Sequence, residues 1–172
     1  SELDFLSFDL ARPEKIKERL FDTGIGIDTP LHGLVNNAAM AYDDLVSNLD
    51  LEQLQHLFQV NVMSPMQLTK CAIRNMLLHK VAGSLVHISS VSAHTGYKGL
   101  AMYAASKGAL ESFSKTVARE WGSLGIRSNC VVPGFMETEM SSALNDDQKQ
   151  RIYQRTALKQ ATQNIFVDAG TL

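Results

Sequence analysis

The feature that most constrains the fold is a regular alternation of helical and strand patterns. Helical periodicity covers residues 13–22, 51–78 and 102–123, and short apolar runs follow at 33–36, 84–89 and 126–132. Strands that alternate with helices are typical of βαβ units in a parallel sheet. At 172 residues, we expect residues 1–172 to form a single α/β domain.

A tyrosine and a lysine four residues apart predict a proton-transfer site. Tyr103 and Lys107 fall on one face of the helix predicted over 102–123. An ammonium group beside the phenol would favour the phenolate and lower the pKa of Tyr103, which suits acid–base chemistry near neutral pH. Taken alone, such a pair indicates more simply an amphipathic surface.

The context of a serine strengthens the catalytic interpretation. Ser90 follows the apolar run at 84–89, which predicts a buried parallel strand. Open α/β sheets hold ligands at the carboxyl ends of their strands. The Ser90 hydroxyl is therefore a candidate hydrogen-bond donor to a substrate carbonyl oxygen.

Several motifs, in this order, resemble the classical short-chain dehydrogenase/reductase family, and most closely its 3-oxoacyl-(acyl-carrier-protein) reductases and related carbonyl reductases. They are Leu34-Val35-Asn36-Asn37-Ala38-Ala39, Val60-Asn61-Val62, Ser90, Tyr103 with Lys107, Pro133-Gly134-Phe135-Met136-Glu137-Thr138, and the final strand-like run at 164–170. The resemblance runs from about residue 9 to the C-terminus. It implies a Rossmann-like, doubly wound parallel sheet.

The resemblance also implies a catalytic set. Tyr103 would be the general acid that protonates a carbonyl oxygen, and Lys107 would lower its pKa and bind the nicotinamide ribose. Ser90 would orient the carbonyl, and Asn61 would hold a water that links Lys107 to solvent. Taken alone, Asn61 could be a polar residue on a helix surface, but its spacing and context favour the catalytic role.

A dinucleotide cofactor is implied as well, NADP(H) before NAD(H). Its implied contacts are Asp9, Asn37, Ala38, Tyr103, Lys107, Pro133, Gly134, Met136 and Thr138. Asp9 could instead be an N-cap or loop carboxylate before Pro13, and Thr138 could cap the helix that follows it. The five histidines show no metal-binding spacing, so we expect no metal.

The chain departs from the family at two places. The first two strands and the glycine-rich βαβ unit have no counterpart, and neither does a helix before the last strand. The string at residues 23–27 is not a substitute, because it follows a helical pattern and Pro30 stops a new helix, so we interpret Gly24 as a helix cap. The chain is thus expected to be an incomplete domain, either an ordered subset of a longer sequence or a defective variant.

Composition excludes several classes of function. A net charge of −2 gives no electrostatic basis for binding nucleic acid or an anionic membrane. Two cysteines outside any CxxC motif predict reduced thiols in the cytoplasm, although organelle targeting stays open. The apolar stripe of the helix over 102–123 predicts a homodimer or homotetramer, or else covers the chain's own sheet. Its members are Leu110, Phe113, Val117 and Trp121.

Two functions remain open. The first is an NAD(P)H-dependent reductase of a ketone or 3-oxoacyl substrate, with residues 139–147 as an apolar flap over the substrate. The second is a catalytically inactive fragment or oligomerisation module of the same fold, because the glycine turn is absent.

Overall fold

The computed structural model of the chain describes residues 4–135, residue 150 and the backbone of residues 165–168. Its strands are β1 (Gly33–Asn36), β2 (Ser84–Ile88), β3 (Arg127–Pro133) and β4 (Ile165–Asp168). Its α-helices are α1 (Leu51–Phe58), α2 (Ser64–Leu78), α3 (Ser92–Thr95) and α4 (Ala101–Trp121). The predicted alternation of helices and strands is confirmed.

The described strands form one sheet in the order β1-β2-β3-β4. β1 and β2 pair in parallel, as do β2 and β3, which confirms the parallel core. β4 pairs with β3 in the antiparallel sense. An antiparallel edge strand on a parallel sheet is common, because it needs no crossover connection.

Helices cover this sheet and form the main core. α2 packs on β1, and α4 packs on β2 and β3. The main cluster of buried side chains joins the N-terminal helical segment to both long helices and to the sheet: Ile16, Phe21, Cys71, Ala72, Ile73, Met76, Leu85, Val117 and Ile126. Phe113 and Trp121 pack against this cluster, so the apolar stripe of α4 covers the chain's own sheet.

The helix predicted over 51–78 is interrupted. Asp50 caps α1 by accepting a hydrogen bond from the backbone N–H of Gln53 at 2.8 Å. A π-helical turn, Gln59–Met63, then separates α1 from α2, and Pro65 lies in the first turn of α2. This π-helical turn contains Asn61, and such turns are often found at functional sites.

The N-terminal helix predicted over 13–22 is also irregular. It consists of a 3₁₀ turn, Pro13–Lys15, and a π-helix, Lys17–Ile25. The prediction that Gly24 caps it is wrong, since Gly24 lies inside the π-helix. Gly26 ends the helix at a φ of 84°, where its N–H bonds the Phe21 carbonyl at 3.0 Å. Gly26 therefore ends a helix, and this glycine-containing string does not form a nucleotide-binding turn after a strand.

Candidate active site

Ser90, Tyr103 and Lys107 come together at one edge of the sheet. Ser90 lies just beyond the end of β2, and Tyr103 and Lys107 lie on one face of α4. The Tyr103 phenol shares a side-chain hydrogen bond with Ser90. The Lys107 Nζ atom lies 5.6 Å from the centroid of the Tyr103 ring. The predicted catalytic serine, tyrosine and lysine are therefore neighbours.

The direction of the Tyr103 pKa shift differs from the expectation. Burial raises the pKa of Tyr103, the hydrogen bond from Ser90 lowers it in part, and the carboxylate of Asp43 raises it further. Lys107 donates one ammonium hydrogen to the Ile88 carbonyl at 2.7 Å, and its Nζ atom lies 5.6 Å from the centroid of the phenol ring. Tyr103 is therefore a protonated phenol at neutral pH, the form that a general acid needs.

The lysine ammonium is held in a nearly closed site. Lys107 is 3% exposed, and burial lowers its pKa to about 8, against a smaller opposing effect of Cys130. At neutral pH most of the ammonium stays protonated, because this pKa lies above 7. Beyond its bond to the Ile88 carbonyl, Lys107 has two N–H donors left for a ligand or water.

Asn61 anchors the loop that follows β1 to the catalytic helix. Its side chain accepts from the Met40 N–H at 2.9 Å and donates to the Met40 carbonyl at 2.9 Å. It also donates to Ser106 Oγ at 3.1 Å. Both amide hydrogens are therefore engaged, so a bound water would have to use an oxygen of Asn61. Its predicted role as the holder of a water stays a prediction.

Ser106 is a site residue that sequence reasoning missed. It is fully buried, accepts the bond from Asn61 and donates to the Tyr103 carbonyl at 2.7 Å. A serine between alanine and lysine in a helix carries no periodic signal. The only available cue was its place next to Lys107.

The predicted cofactor residues lie at the same edge of the sheet. Asn37 and Ala38 follow β1 and line a cavity of about 60 Å³ with Leu10 and Pro65. Asn36 also lines it, is 6% exposed, and keeps an Oδ1 atom that has no hydrogen-bond partner among the described residues.

The other predicted contacts divide into two groups. Pro133 ends β3, where its carbonyl accepts from the Val91 N–H at 2.9 Å, and the half-buried Gly134 follows. Asp9 accepts from the Ala11 N–H at 2.9 Å, which is the local loop role left open above. Met136, Thr138 and the proposed flap at 139–147 lie outside the described residues.

These residues fit one end of a dinucleotide. The two N–H donors of Lys107 that are not bonded to the Ile88 carbonyl suit ribose hydroxyls. Within residues 4–135 no strand precedes Gly33, so this part of the chain contains no strand, glycine turn and helix to bind a pyrophosphate. The described residues therefore fit the nicotinamide ribose and do not include the usual pyrophosphate site.

Other classes of site are not found in the described part of the chain. No group of three or more His, Cys, Asp or Glu side chains there could hold a metal ion. His87 has an ordinary core role, because it is fully buried and packs edge-to-face on Phe113. No helix among the described residues is both long and apolar enough to span a bilayer.

The chain resembles known oxidoreductases in sequence. The family described as short chain dehydrogenase matches residues 1–149. A 3-oxoacyl-[acyl-carrier-protein] reductase of Vibrio cholerae is 35% identical over 147 residues, which are 84% of this chain and 58% of that protein. The Escherichia coli protein of the same name is 42% identical over 119 residues, 69% of this chain and 48% of that protein. The chain therefore spans about half the length of these relatives.

Solved structures agree with this result. A gluconate 5-dehydrogenase from Burkholderia cenocepacia, in complex with NADP and tartrate, superposes with a TM-score of 0.83 at 25% identity. The match covers 90% of this chain and 61% of that one. A 4-hydroxyisoleucine dehydrogenase complexed with NADH gives a TM-score of 0.84 at 26% identity, covering 91% of this chain and 65% of that one.

Proposed function

The chain belongs to the short-chain dehydrogenase family, and we propose on that basis that the protein is an NAD(P)H-dependent oxidoreductase that reduces a carbonyl to a secondary alcohol. The observation that carries the proposal is the convergence of Ser90, Tyr103 and Lys107 at the carboxyl end of β2. We further propose a 3-oxoacyl or related ketone substrate, because the relatives named above include 3-oxoacyl-[acyl-carrier-protein] reductases.

The geometry supports a division of roles among the three side chains. A dihydronicotinamide, when bound, supplies the hydride to the carbonyl carbon. Ser90 donates a hydrogen bond to the carbonyl oxygen, and Tyr103 gives that oxygen its phenolic proton as negative charge develops there. Lys107, protonated beside the phenol, stabilises the phenolate until a proton from solvent restores it. Asn61 and Ser106 hold the loop after β1 next to the turn of α4 that carries Tyr103.

The cofactor proposal names NADP(H) first and NAD(H) as the alternative. Lys107 would hold the nicotinamide ribose, while Asn37, Ala38, Pro133 and Gly134 would line the cleft. Support for NADP(H) comes from the gluconate 5-dehydrogenase solved with NADP. The 4-hydroxyisoleucine dehydrogenase was solved with NADH, so NAD(H) is the alternative cofactor and both cofactors are tested.

The proposal extends to assembly and location. We expect a single domain that forms homodimers or homotetramers, although the apolar stripe of α4 is used within this chain. Cys71 and Cys130 are both buried thiols, which suits the reducing cytoplasm. Size-exclusion chromatography with light scattering tests the assembly, and a monomer would refute it.

A second function is favoured by a specific observation. β1 lies at an edge of the described sheet, and the Val35 side chain in it is 62% accessible to solvent. No glycine turn after a strand occurs within residues 4–135. The alternative proposal is therefore a catalytically inactive fragment or interaction module of the same fold, in which the β1 edge is open to a partner.

One experiment separates the two functions. NADPH and NADH are titrated into the protein, and dihydronicotinamide fluorescence reports binding. Oxidation of the cofactor is then followed with a 3-oxoacyl thioester. Saturable binding with turnover that Tyr103→Phe abolishes supports the enzyme. Absence of binding refutes the enzyme and supports the module.

A further inference from the structure

A buried carboxylate lies on the catalytic helix and has no part in the chemistry proposed above. Tyr103, Lys107 and Glu111 occupy successive turns of one face of α4. Glu111 is only 8% exposed. A carboxylate in such a place is costly unless hydrogen-bond donors satisfy it, so its partners indicate what it does.

Two donors from one segment satisfy Glu111. Ser89 Oγ donates to Oε1 at 2.5 Å. His94 Nε2 lies 3.0 Å from Oε1 and 2.9 Å from Oε2. The Ser89 hydroxyl also lies 3.4 Å from the Lys107 carbonyl. The Glu111 carboxylate therefore links Ser89 and His94 to α4, beside the helical turn that carries Lys107.

These two donors flank Ser90, the residue that would bind the substrate carbonyl. Ser90 Oγ accepts from the Ser92 N–H at 3.2 Å and from Ser92 Oγ at 3.0 Å. The Ser90 carbonyl accepts from the Ala93 N–H at 3.0 Å. Hydrogen bonds therefore join residues 90–93 to one another. Backbone bonds hold this segment to β3, and Glu111 holds it to α4.

We propose that Glu111 is a positioning residue that fixes the Ser90 hydroxyl relative to the Tyr103 phenol. Because Tyr103 and Glu111 share a rigid helix, the Glu111 contacts set the distance between the carbonyl-binding group and the proton donor. A misplacement of about 1 Å at such a site can cost about 100-fold in rate. The inference rests on the proposed reductase function, and the last experiment below separates the two.

The first test replaces Glu111 by Gln, which keeps one oxygen acceptor but removes the negative charge and puts an NH2 group, which cannot accept from His94, in place of the other oxygen. Glu111→Gln should lower kcat about 10- to 100-fold and leave the Kd for NADPH within about twofold. The matched control is Glu120→Gln, an exposed carboxylate on the same helix, which should retain wild-type kcat. An unchanged kcat in Glu111→Gln, or an equal loss of NADPH affinity and kcat, overturns the proposal.

The second test uses the exposed partner, where a folding defect is less of a concern. His94→Gln keeps an N–H donor of similar reach, whereas His94→Leu keeps only bulk. The leucine variant should lose at least about tenfold in kcat, and the glutamine variant should stay close to wild type. Equal activity of the two variants refutes a positioning role for the Glu111 contact.

The third test does not depend on turnover. Amide hydrogen exchange over residues 89–95 should be faster in Glu111→Gln than in wild type, with exchange over β3 unchanged. If wild type reduces no ketone, the proposed function fails while this measurement still tests the anchor. Unchanged exchange over residues 89–95 overturns the positioning role whatever the activity.

Discussion

Removal of the Asn61 side chain should weaken both the fold and the active site. In Asn61→Ala three hydrogen bonds disappear, two to the Met40 backbone and one to Ser106, from a side chain that is 1% exposed. At about 1 kcal/mol for each bond, and with Met40 N–H and C=O left unsatisfied, the loss is about 3–5 kcal/mol. The Tm should fall by about 10 °C, and urea unfolding followed by circular dichroism measures the free energy.

Asn75 provides a matched control away from the site. Its side chain holds a loop in the same way, accepting from the Leu31 N–H at 2.8 Å and donating to the Thr29 carbonyl at 2.9 Å. Asn75→Ala should lose about 2–3 kcal/mol of unfolding free energy and keep wild-type turnover per folded molecule. Asn61→Ala should lose turnover as well. A stability loss below about 1 kcal/mol in Asn61→Ala, or equal loss of turnover in both variants, would refute the anchoring role.

Three further predictions follow from the same geometry. Tyr103→Phe removes the proton donor but no apolar contact, so turnover should fall by at least about 100-fold while the Tm stays near wild type; residual turnover above that level contradicts the role. Asp43→Asn removes an anion that raises the pKa of Tyr103, so this pKa should fall. Since a general acid stops working as pH rises through its pKa, the alkaline limb of the kcat profile should move to lower pH, and an upward move is inconsistent with the structure. Burial lowers the pKa of His87 from 6.5 to about 4, so the unfolded state binds more protons between these values. Stability should be complete above pH 6.5 and fall by about 3 kcal/mol as pH drops to 4, and His87→Asn should flatten this dependence in urea titrations.

Much of the fold follows from local patterns. Short apolar runs predicted β1, β2 and β3, although these strands also bury polar side chains such as His87 and Ser128. Ser90, Tyr103 and Lys107 were predictable as neighbours for a related reason. In a parallel sheet the carboxyl ends of the strands lie at one edge. The start of the helix that follows a strand lies at that same edge, so Ser90 after β2 and Tyr103 and Lys107 near the start of α4 were expected to meet there.

Other features depend on contacts between distant residues, which no local pattern records. The rise in the Tyr103 pKa comes from burial and from Asp43, sixty residues away in sequence. The contact between Glu111 and His94 joins α4 to the short helix α3, and no sequence motif indicates it. The helix ends at Gly26 and not at Gly24 because its last part is a π-helix. Sequence periodicity does not distinguish this geometry from an α-helical one.

The most direct test of the central claim is isotope transfer. NADPH deuterated at the reactive C4 position is incubated with the protein and a 3-oxoacyl thioester, and the product is examined by mass spectrometry. Hydride reduction predicts a secondary alcohol that carries deuterium on its carbinol carbon, formed by wild type and not by Tyr103→Phe. No labelled alcohol at saturating NADPH or NADH, across acyl and simple ketones, would contradict the account.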